Sequence, residues 1–185
     1  MKKRLFLLIF SALICFSFLT SAANAQKSKP AAAAQQKLNV VREGVGIEGV
    51  VVGKSTMDEV VKKFGKDYKW AAHKKYSFSM SYPNLGLTFY MCQSDKRKQI
   101  FDIEIKQPYR AKTSRGIILG KSTVADIYKI YGKSRRGDAT SGEDLEFRGV
   151  SFFYNTIRGK KVVTVIDVVE NSGIRQCTEN KVQGK

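Results

Sequence analysis

Residues 53–56 read Gly-Lys-Ser-Thr, and residues 120–123 repeat the same four residues. The repetition extends beyond this motif: alignment of residues 49–66 with residues 116–133, an offset of 67, leaves eight identities in 18 positions. Most of the other aligned positions are conservative exchanges, such as Phe64 for Tyr131. The chain therefore contains two copies of one structural unit, and this duplication decides the predicted fold.

Each copy predicts a short amphipathic helix that begins at the threonine of the repeated motif. Thr56 is followed three residues later by Glu59, and Thr123 by Asp126, which is the spacing of a capping box. We therefore predict Thr56 and Thr123 as helix N-caps. A glycine ends each helix. The apolar stripes, spaced i, i+3, i+4 and i+7, are Met57, Val60, Val61 and Phe64 in the first copy and Val124, Ile127, Tyr128 and Tyr131 in the second.

Strands are predicted on both sides of each helix. Residues 76–82 alternate large apolar side chains with serines, as a half-buried strand does. A short helix is marginal alone, so the copies are expected to pack together. The predicted class is α+β, with two tandem repeats that each contain a short strand, one amphipathic helix and a three-stranded antiparallel meander. The predicted strands are an edge strand at 38–41, then 50–52, 76–82, 87–92 and 100–106, and in the second copy 117–119, 145–147, 150–154 and 161–169.

The first 25 residues have the pattern of a secretory signal. Three basic residues precede a mostly apolar run at 5–19, and Ala23-Asn24-Ala25 provides a small-residue cleavage site. The run is shorter than the roughly 20 residues of a spanning helix, although an uncleaved anchor is the alternative. We expect cleavage after Ala25, no membrane span afterwards, and a periplasmic or secreted protein. The predicted divisions are a signal peptide at 1–25, a flexible lead-in at 26–45, repeat units at 46–110 and 111–177, and a tail at 178–185.

Two cysteines remain after the signal peptide is removed, Cys92 and Cys177, one near the end of each copy. An even number of cysteines in an oxidising compartment favours a disulfide, which here ties the copies together. The alternative is two separate buried thiols.

The chain is strongly basic, with a formal net charge of +17. Such a charge favours anionic partners, namely acidic lipid headgroups, lipopolysaccharide phosphates or acidic polysaccharide. Export argues against nucleic acid. The alternative is a solvated surface with no dedicated ligand. Some basic loops are expected to converge into a rim, and the candidate contacts for an anionic surface are Lys96, Arg97, Lys98, Arg135, Arg136, Lys160 and Lys161.

The repeated motif does not have the spacing of a phosphate-binding loop. That loop needs a glycine five residues before the Gly-Lys-Ser/Thr glycine, where this chain has Glu48 and Arg115. We therefore expect no nucleotide. The single histidine, His73, is predicted in a surface loop with no second histidine to share a zinc ion. No cofactor and no metal site are expected.

Carboxylate pairs are the remaining route to catalysis. Asp102 and Glu104 share one strand face, while Glu143, Asp144 and Glu146 cluster near a turn. Hydrolysis by carboxylates needs two of them several ångströms apart across a cleft. We interpret these residues as solvated charge, so no catalytic residues and no enzymatic activity are expected.

The two copies resemble a known unit. The pattern Gly-Lys-Ser-Thr-x-x-Glu/Asp-Val/Ile, then Phe/Tyr-Gly at a helix end and a β-meander, is similar to the small α/β unit of the SmpA/OmlA-type outer-membrane assembly lipoproteins. The tandem form resembles proteins of the β-lactamase inhibitory protein type, which contain two such units. The likeness covers roughly residues 46–170, and no functional residue is carried over. Bulky Ile14 before Cys15 departs from a lipoprotein signal.

The sequence thus predicts an exported, non-enzymatic binding or scaffold protein of the bacterial envelope that acts through protein–protein contacts. Its partner is expected to be another envelope or secreted protein. Exposed aromatic residues on the sheet face away from the helices would support this interpretation. The alternatives are a binder of anionic envelope polymer or lipid through the basic loops, and an inhibitor of a secreted hydrolase.

Overall fold

The protein is mainly β in the computed structural model, which describes residues 37–73, 77–137 and 144–171 together with Cys177. Strands account for 48% of these residues and helices for 13%, and the strands form sheets of four and seven. The predicted α+β class built from helix-plus-meander repeats is therefore wrong. The strands are β1 (Asn39–Arg42), β2 (Gly46–Ile47), β3 (Val50–Val51), β4 (Lys69–His73), β5 (Ser77–Tyr82), β6 (Leu87–Cys92), β7 (Ile100–Lys106), β8 (Ala111–Thr113), β9 (Leu145–Phe147), β10 (Val150–Ile157) and β11 (Lys160–Val169); the helices are α1 (Met57–Phe64) and α2 (Val124–Tyr131).

The prediction failed because the chain has further strands outside the expected meanders, whereas its two helices have only eight residues each. Strands therefore contain far more residues than helices do. Strand β4 lies fully exposed at a sheet edge, so its sequence carries no apolar alternation. Strand β1, predicted at an edge, lies inside the four-stranded sheet, antiparallel to β2 and parallel to β8. The predicted strand at 117–119 is reduced to one bridge between Ile118 and Lys112.

The seven-stranded sheet has the order β4-β5-β6-β7-β11-β10-β9. Strands β4 to β7 come from the first copy and β9 to β11 from the second, and the two groups join where β7 pairs antiparallel with β11. Val165 lies opposite Lys106, and Val169 lies opposite Asp102. Since β7 and β11 are the last strands of their meanders, the copies meet at the centre of one continuous sheet.

One face of this sheet forms the core with both helices. Phe64 of α1 lies 5.6 Å from Phe89, and Tyr131 of α2 lies 5.2 Å from Phe152, measured between ring centroids. Residues of the four-stranded sheet, such as Val41, join the same core. Burying each such side chain stabilises the fold by about 1.5–3 kcal/mol. Two lines of cross-strand neighbours supply this face: Met80, Phe89, Ile103, Val168, Val150 and Phe147, then Tyr82, Leu87, Ile105, Ile166, Phe152 and Leu145.

The alternate residues of these strands point to the opposite face because strand side chains have a period of two. Neither α1 nor α2 packs on that side of the sheet, and its residues are absent from the main core. We call it the free face.

The repeated motif forms the same turn in both copies. Gly53 and Gly120 both have a φ of 74°. The Gly53 N–H donates to the carbonyl oxygen of Ile100 at 2.7 Å, and the Gly120 N–H donates to that of Val163 at 2.8 Å. The motif therefore attaches each helix start to the last strand of its own meander.

The serine hydroxyls of the motif satisfy backbone N–H groups, and the N–H groups of its threonines are satisfied by carboxylates. Ser122 Oγ accepts from the Ile118 N–H at 2.9 Å, and the serine of the first copy accepts from the Val51 N–H at 3.1 Å. Thr56 and Thr123 occupy the N-cap positions, and their N–H groups donate to the carboxylates of Glu59 and Asp126. Both serine hydroxyls and the Thr123 hydroxyl therefore have structural partners.

Each motif glycine also touches a residue that follows the last strand of the other copy. A Cβ atom added to Gly53 would lie 2.0 Å from Oε1 of Glu170, which follows β11. A Cβ atom on Gly120 would lie 2.3 Å from Nε2 of Gln107, which follows β7. The close approach and the positive φ together explain why glycine occurs at this position in both copies.

Gly53→Ala is expected to destabilise the protein more than Gly49→Ala. Both glycines have a positive φ, which costs roughly 1–2 kcal/mol for an L-residue, but a Cβ on Gly49 meets nothing within 4 Å. Only the Gly53 variant must also displace the Glu170 side chain. Urea unfolding of both variants measures the difference, and equal free energies of unfolding would show that the contact between copies contributes nothing.

Candidate functional site

A continuous line of polar side chains crosses the free face, with one residue on each of the seven strands. Antiparallel pairing places its members directly opposite one another from β4 to β9. On each of these strands except β4, its residue comes between one residue of each apolar line of the core face. Because side chains alternate along a strand, the line therefore lies on the other side of the sheet. We call it the polar row. It consists of Lys69, Ser81, Thr88, Glu104, Asp167, Ser151 and Glu146.

Three carboxylates gather at the centre of this face. Glu104 of β7 lies opposite Asp167 of β11. Asp102 lies two residues before Glu104 and shares its face. Tyr90 of β6 lies opposite Asp102, and its hydroxyl donates to Oε2 of Glu104 at 3.4 Å. We call Asp102, Glu104 and Asp167 the acid cluster.

The two aspartates of the acid cluster are poorly solvated. In each, Oδ1 is inaccessible and has no hydrogen-bond partner. Burial, then repulsion from Glu104, raises the pKa of Asp102 to about 7. Burial, then repulsion from Asp102 and Glu104, raises the pKa of Asp167 well above its usual range. The interpretation of Asp102 as solvated charge is therefore wrong, because burial keeps this carboxyl protonated up to near neutral pH.

The third carboxylate of the cluster is in a different environment. Glu104 stays partly exposed, and its Oε1 forms an ion pair with Lys106 Nζ at 3.0 Å. The cluster thus contains one paired carboxylate and two unpaired ones.

A buried hydroxyl beside the acid cluster is also unsatisfied. Ser151 of β10 is 2% exposed, its Oγ has no hydrogen-bond partner, and it lies opposite Asp167. A buried polar group without a partner costs roughly 1–3 kcal/mol. Unsatisfied oxygens therefore occur on three adjacent strands, β7, β11 and β10, which are spaced about 4.8 Å apart.

A second polar contact lies towards the β4 edge. His73 Nε2 and Ser79 Oγ are 2.7 Å apart, and the His73 and Tyr90 ring centroids are 5.7 Å apart. His73 was predicted in a surface loop, but it ends strand β4. Ser79 is buried and lies opposite Tyr90. The polar surface of the free face thus extends from β10 to β4.

The predicted disulfide between Cys92 and Cys177 is confirmed, with a Cα–Cα distance of 5.3 Å. Cys92 lies two residues after Tyr90 on β6 and therefore on the free face. The bond attaches Cys177 to the free face. A disulfide is compatible with a protein of an oxidising, extracytoplasmic compartment.

The basic residues predicted to contact an anionic surface do not form one rim. Lys96, Arg97 and Lys98 lie in the β6–β7 connection, whereas Lys160 and Lys161 begin β11. These connections are at opposite ends of the sheet, because β7 and β11 run antiparallel.

The other two basic candidates lie at a third place. Arg136 forms an isolated β-bridge with Glu146 beside the edge strand β9, and Arg135 donates its N–H to the carbonyl oxygen of Glu146. The structure thus separates the basic candidates into three groups.

Two of the basic candidates lie over aromatic rings. Lys98 Nζ lies 4.6 Å from the Phe78 ring centroid, and Lys161 Nζ lies 5.5 Å from that of Tyr154.

No family model, curated protein or solved structure matches the chain. The resemblance to SmpA/OmlA-type units therefore stays a prediction. Among the described residues, no helix is long and apolar enough to cross a membrane, and no three His, Cys, Asp or Glu side chains are grouped to hold a metal ion. The predicted signal peptide at 1–25, most of the lead-in and the tail at 178–185 lie outside the described residues.

Sequence reasoning missed Asp167 and Ser151. A signal existed for the aspartate, which is the only charged residue within the apolar run 162–169. Its position opposite Glu104 depends on the pairing of strands from different copies, and so does the existence of the acid cluster.

Proposed function

We propose that this chain is an exported, non-enzymatic binding protein of the bacterial envelope that holds another protein against the free face of its seven-stranded sheet. The observation that supports the proposal is Phe153, a large aromatic side chain that is 40% exposed. It lies on β10 two residues after Ser151 and opposite Val165, and therefore on the free face. An exposed aromatic residue on the face away from the helices is the feature that favours protein binding.

The free face is wide across its strands. Seven strands at about 4.8 Å spacing span roughly 29 Å, and a standard interface buries about 800 Å² on each partner. Aromatic side chains supply much of the energy of such contacts, and polar groups around them fix the orientation. Phe153 beside the polar row combines both features.

The alternative of an anionic polymer or lipid has less support. It relies on the basic loops acting together, whereas the structure separates them into three groups. Inhibition of a secreted hydrolase is one form of the proposed activity, since it too uses protein–protein contact. Trp70, 45% exposed, lies opposite Met80 on the core-side face and outside the proposed surface.

Site-specific photo-crosslinking tests the proposal. A benzophenone side chain at position 153 is expected to give a discrete protein adduct in envelope extract of the encoding bacterium. Unmodified wild-type chain should compete for it, and it should persist in 0.5 M salt. The same group at Lys129, exposed on α2, is the control and should give none. Equal adducts from both positions, or none from position 153, would refute the proposal.

A further inference from the structure

We propose that the acid cluster receives the guanidinium group of an arginine side chain that projects from the bound partner. This inference rests on the proposed function and specifies its chemistry.

Three buried oxygens on the free face lack a donor. Oδ1 of Asp102, Oδ1 of Asp167 and Oγ of Ser151 are buried and have no hydrogen-bond partner. Buried carboxylates are stable in the ionised form only when a cation pairs with them. No described lysine or arginine pairs with either aspartate: Lys106, the basic residue on the same strand, pairs with Glu104 instead. A cation from another molecule would supply the donor that these oxygens lack.

The spacing of these acceptors suits a guanidinium better than other cations. Asp102 and Asp167 lie on neighbouring strands, and Ser151 lies on the next strand, opposite Asp167. A guanidinium is planar and carries five N–H donors in a fixed fork, so one group bridges acceptors on two strands. An ammonium is compact and more strongly hydrated. The described residues form no metal-binding group.

The acid cluster is only partly exposed. Asp102 and Asp167 keep part of their surface exposed even though one oxygen of each is inaccessible. Phe153 on β10 is a diagonal neighbour of Asp167 on β11, so its ring is available to the aliphatic stem or the guanidinium. The same aromatic residue therefore serves the proposed interface and the proposed arginine.

The charge of the chain restricts the partner further. With a formal net charge of +17, the chain repels a generally cationic protein at long range. The partner surface should therefore be acidic or neutral around a single projecting arginine. Such a surface complements the negative centre and the basic connections at the ends of the sheet.

Binding should depend on pH because the aspartates must release protons to pair with the guanidinium. The groups that face them are Glu104 and Lys106 on β7, Tyr90 on β6 and Asp144 before β9. Burial and the neighbouring carboxylates raise the pKa of Asp102 to about 7, so affinity should increase as the pH rises through this value. Tyr90 stays neutral in this range, because burial, then Glu104, raises its pKa.

A titration of the whole chain followed by NMR tests the inference with small probes. N-acetyl-arginine methylamide is the probe, and its neutral isostere N-acetyl-citrulline methylamide is the control ligand. The arginine probe should bind at pH 8, shift the amide signals of β7 and β11, and bind at least tenfold more weakly at pH 6. The citrulline probe should bind at least tenfold more weakly at pH 8.

Matched variants assign the effect to the cluster. Asp102→Asn combined with Asp167→Asn should weaken binding of the arginine probe at least tenfold, whereas Asp58→Asn, an exposed carboxylate on α1, should leave it unchanged. Equal binding of the two probes, unchanged binding by the double variant, or CaCl₂ displacing the probe from β7 and β11 would overturn the inference. A position-153 adduct that survives in the double variant would overturn the inference alone and leave the proposed protein binding intact.

Discussion

Asp102→Asn is expected to raise the free energy of unfolding at pH 8 by up to about 4 kcal/mol and to leave it nearly unchanged at pH 4. The pKa of Asp102 is about 7 in the folded protein, raised first by burial and then by Glu104, against about 3.9 in an unfolded chain. Below pH 4 both states are protonated, so the shift has no effect. As the pH rises from 4 to 7 the unfolded state ionises first, and the folded state loses stability. Asparagine has no charge to desolvate, so the variant avoids this loss.

Urea unfolding at pH 4, 6 and 8 measures this effect, with Asp58→Asn as the control. Asp167→Asn should act in the same direction. The two changes should not be additive, because repulsion from Asp102 contributes to the raised pKa of Asp167. A variant at position 102 that is less stable than wild type at pH 8 would contradict the prediction, because it would mean that the ionised carboxylate has a stabilising partner.

Cys177→Ser is expected to destabilise the protein by roughly 4–5 kcal/mol, according to the chain-entropy account of a disulfide that closes a long loop. The bond joins residues separated by 85 positions in the sequence, one from each copy. Its loss therefore increases the conformational entropy of most of the two copies in the unfolded state. The same loss is expected on reduction of the wild-type chain.

Urea unfolding of Cys177→Ser, Cys92→Ser and the double variant tests this prediction. The three should be equally stable, since each removes the same bond. If Cys92→Ser alone were strongly destabilised, packing of the buried Cys92 side chain, rather than the bond, would be the dominant contribution.

Local patterns in the sequence predicted individual elements well where side chains alternate or repeat with helical spacing. Strands β6, β7 and β9 have the predicted bounds, and Thr123 is the N-cap of α2. The class was wrong because two features leave no local pattern. Strand β4 is exposed on both faces, and β1 takes its partners from residues far along the chain.

The candidate site was less predictable than the elements that carry it. Asp102 and Glu104 were recognised as sharing a strand face, but their solvation depends on what lies beside them. Asp167 lies opposite Glu104 only because β11 pairs with β7 in one particular register. Sequence spacing contains no information about that register, so the burial of the aspartates could not be derived from it.

The junction of β7 with β11 also relates two members of the acid cluster to the duplication. Glu104 follows Ile100 by four residues and Asp167 follows Val163 by four, and Ile100 and Val163 accept equivalent hydrogen bonds from the two motif glycines. Glu104 and Asp167 therefore occupy equivalent positions of the two copies and face each other across the line where the copies meet. Side chains along this line acquire a new neighbour by duplication alone, without any change in sequence.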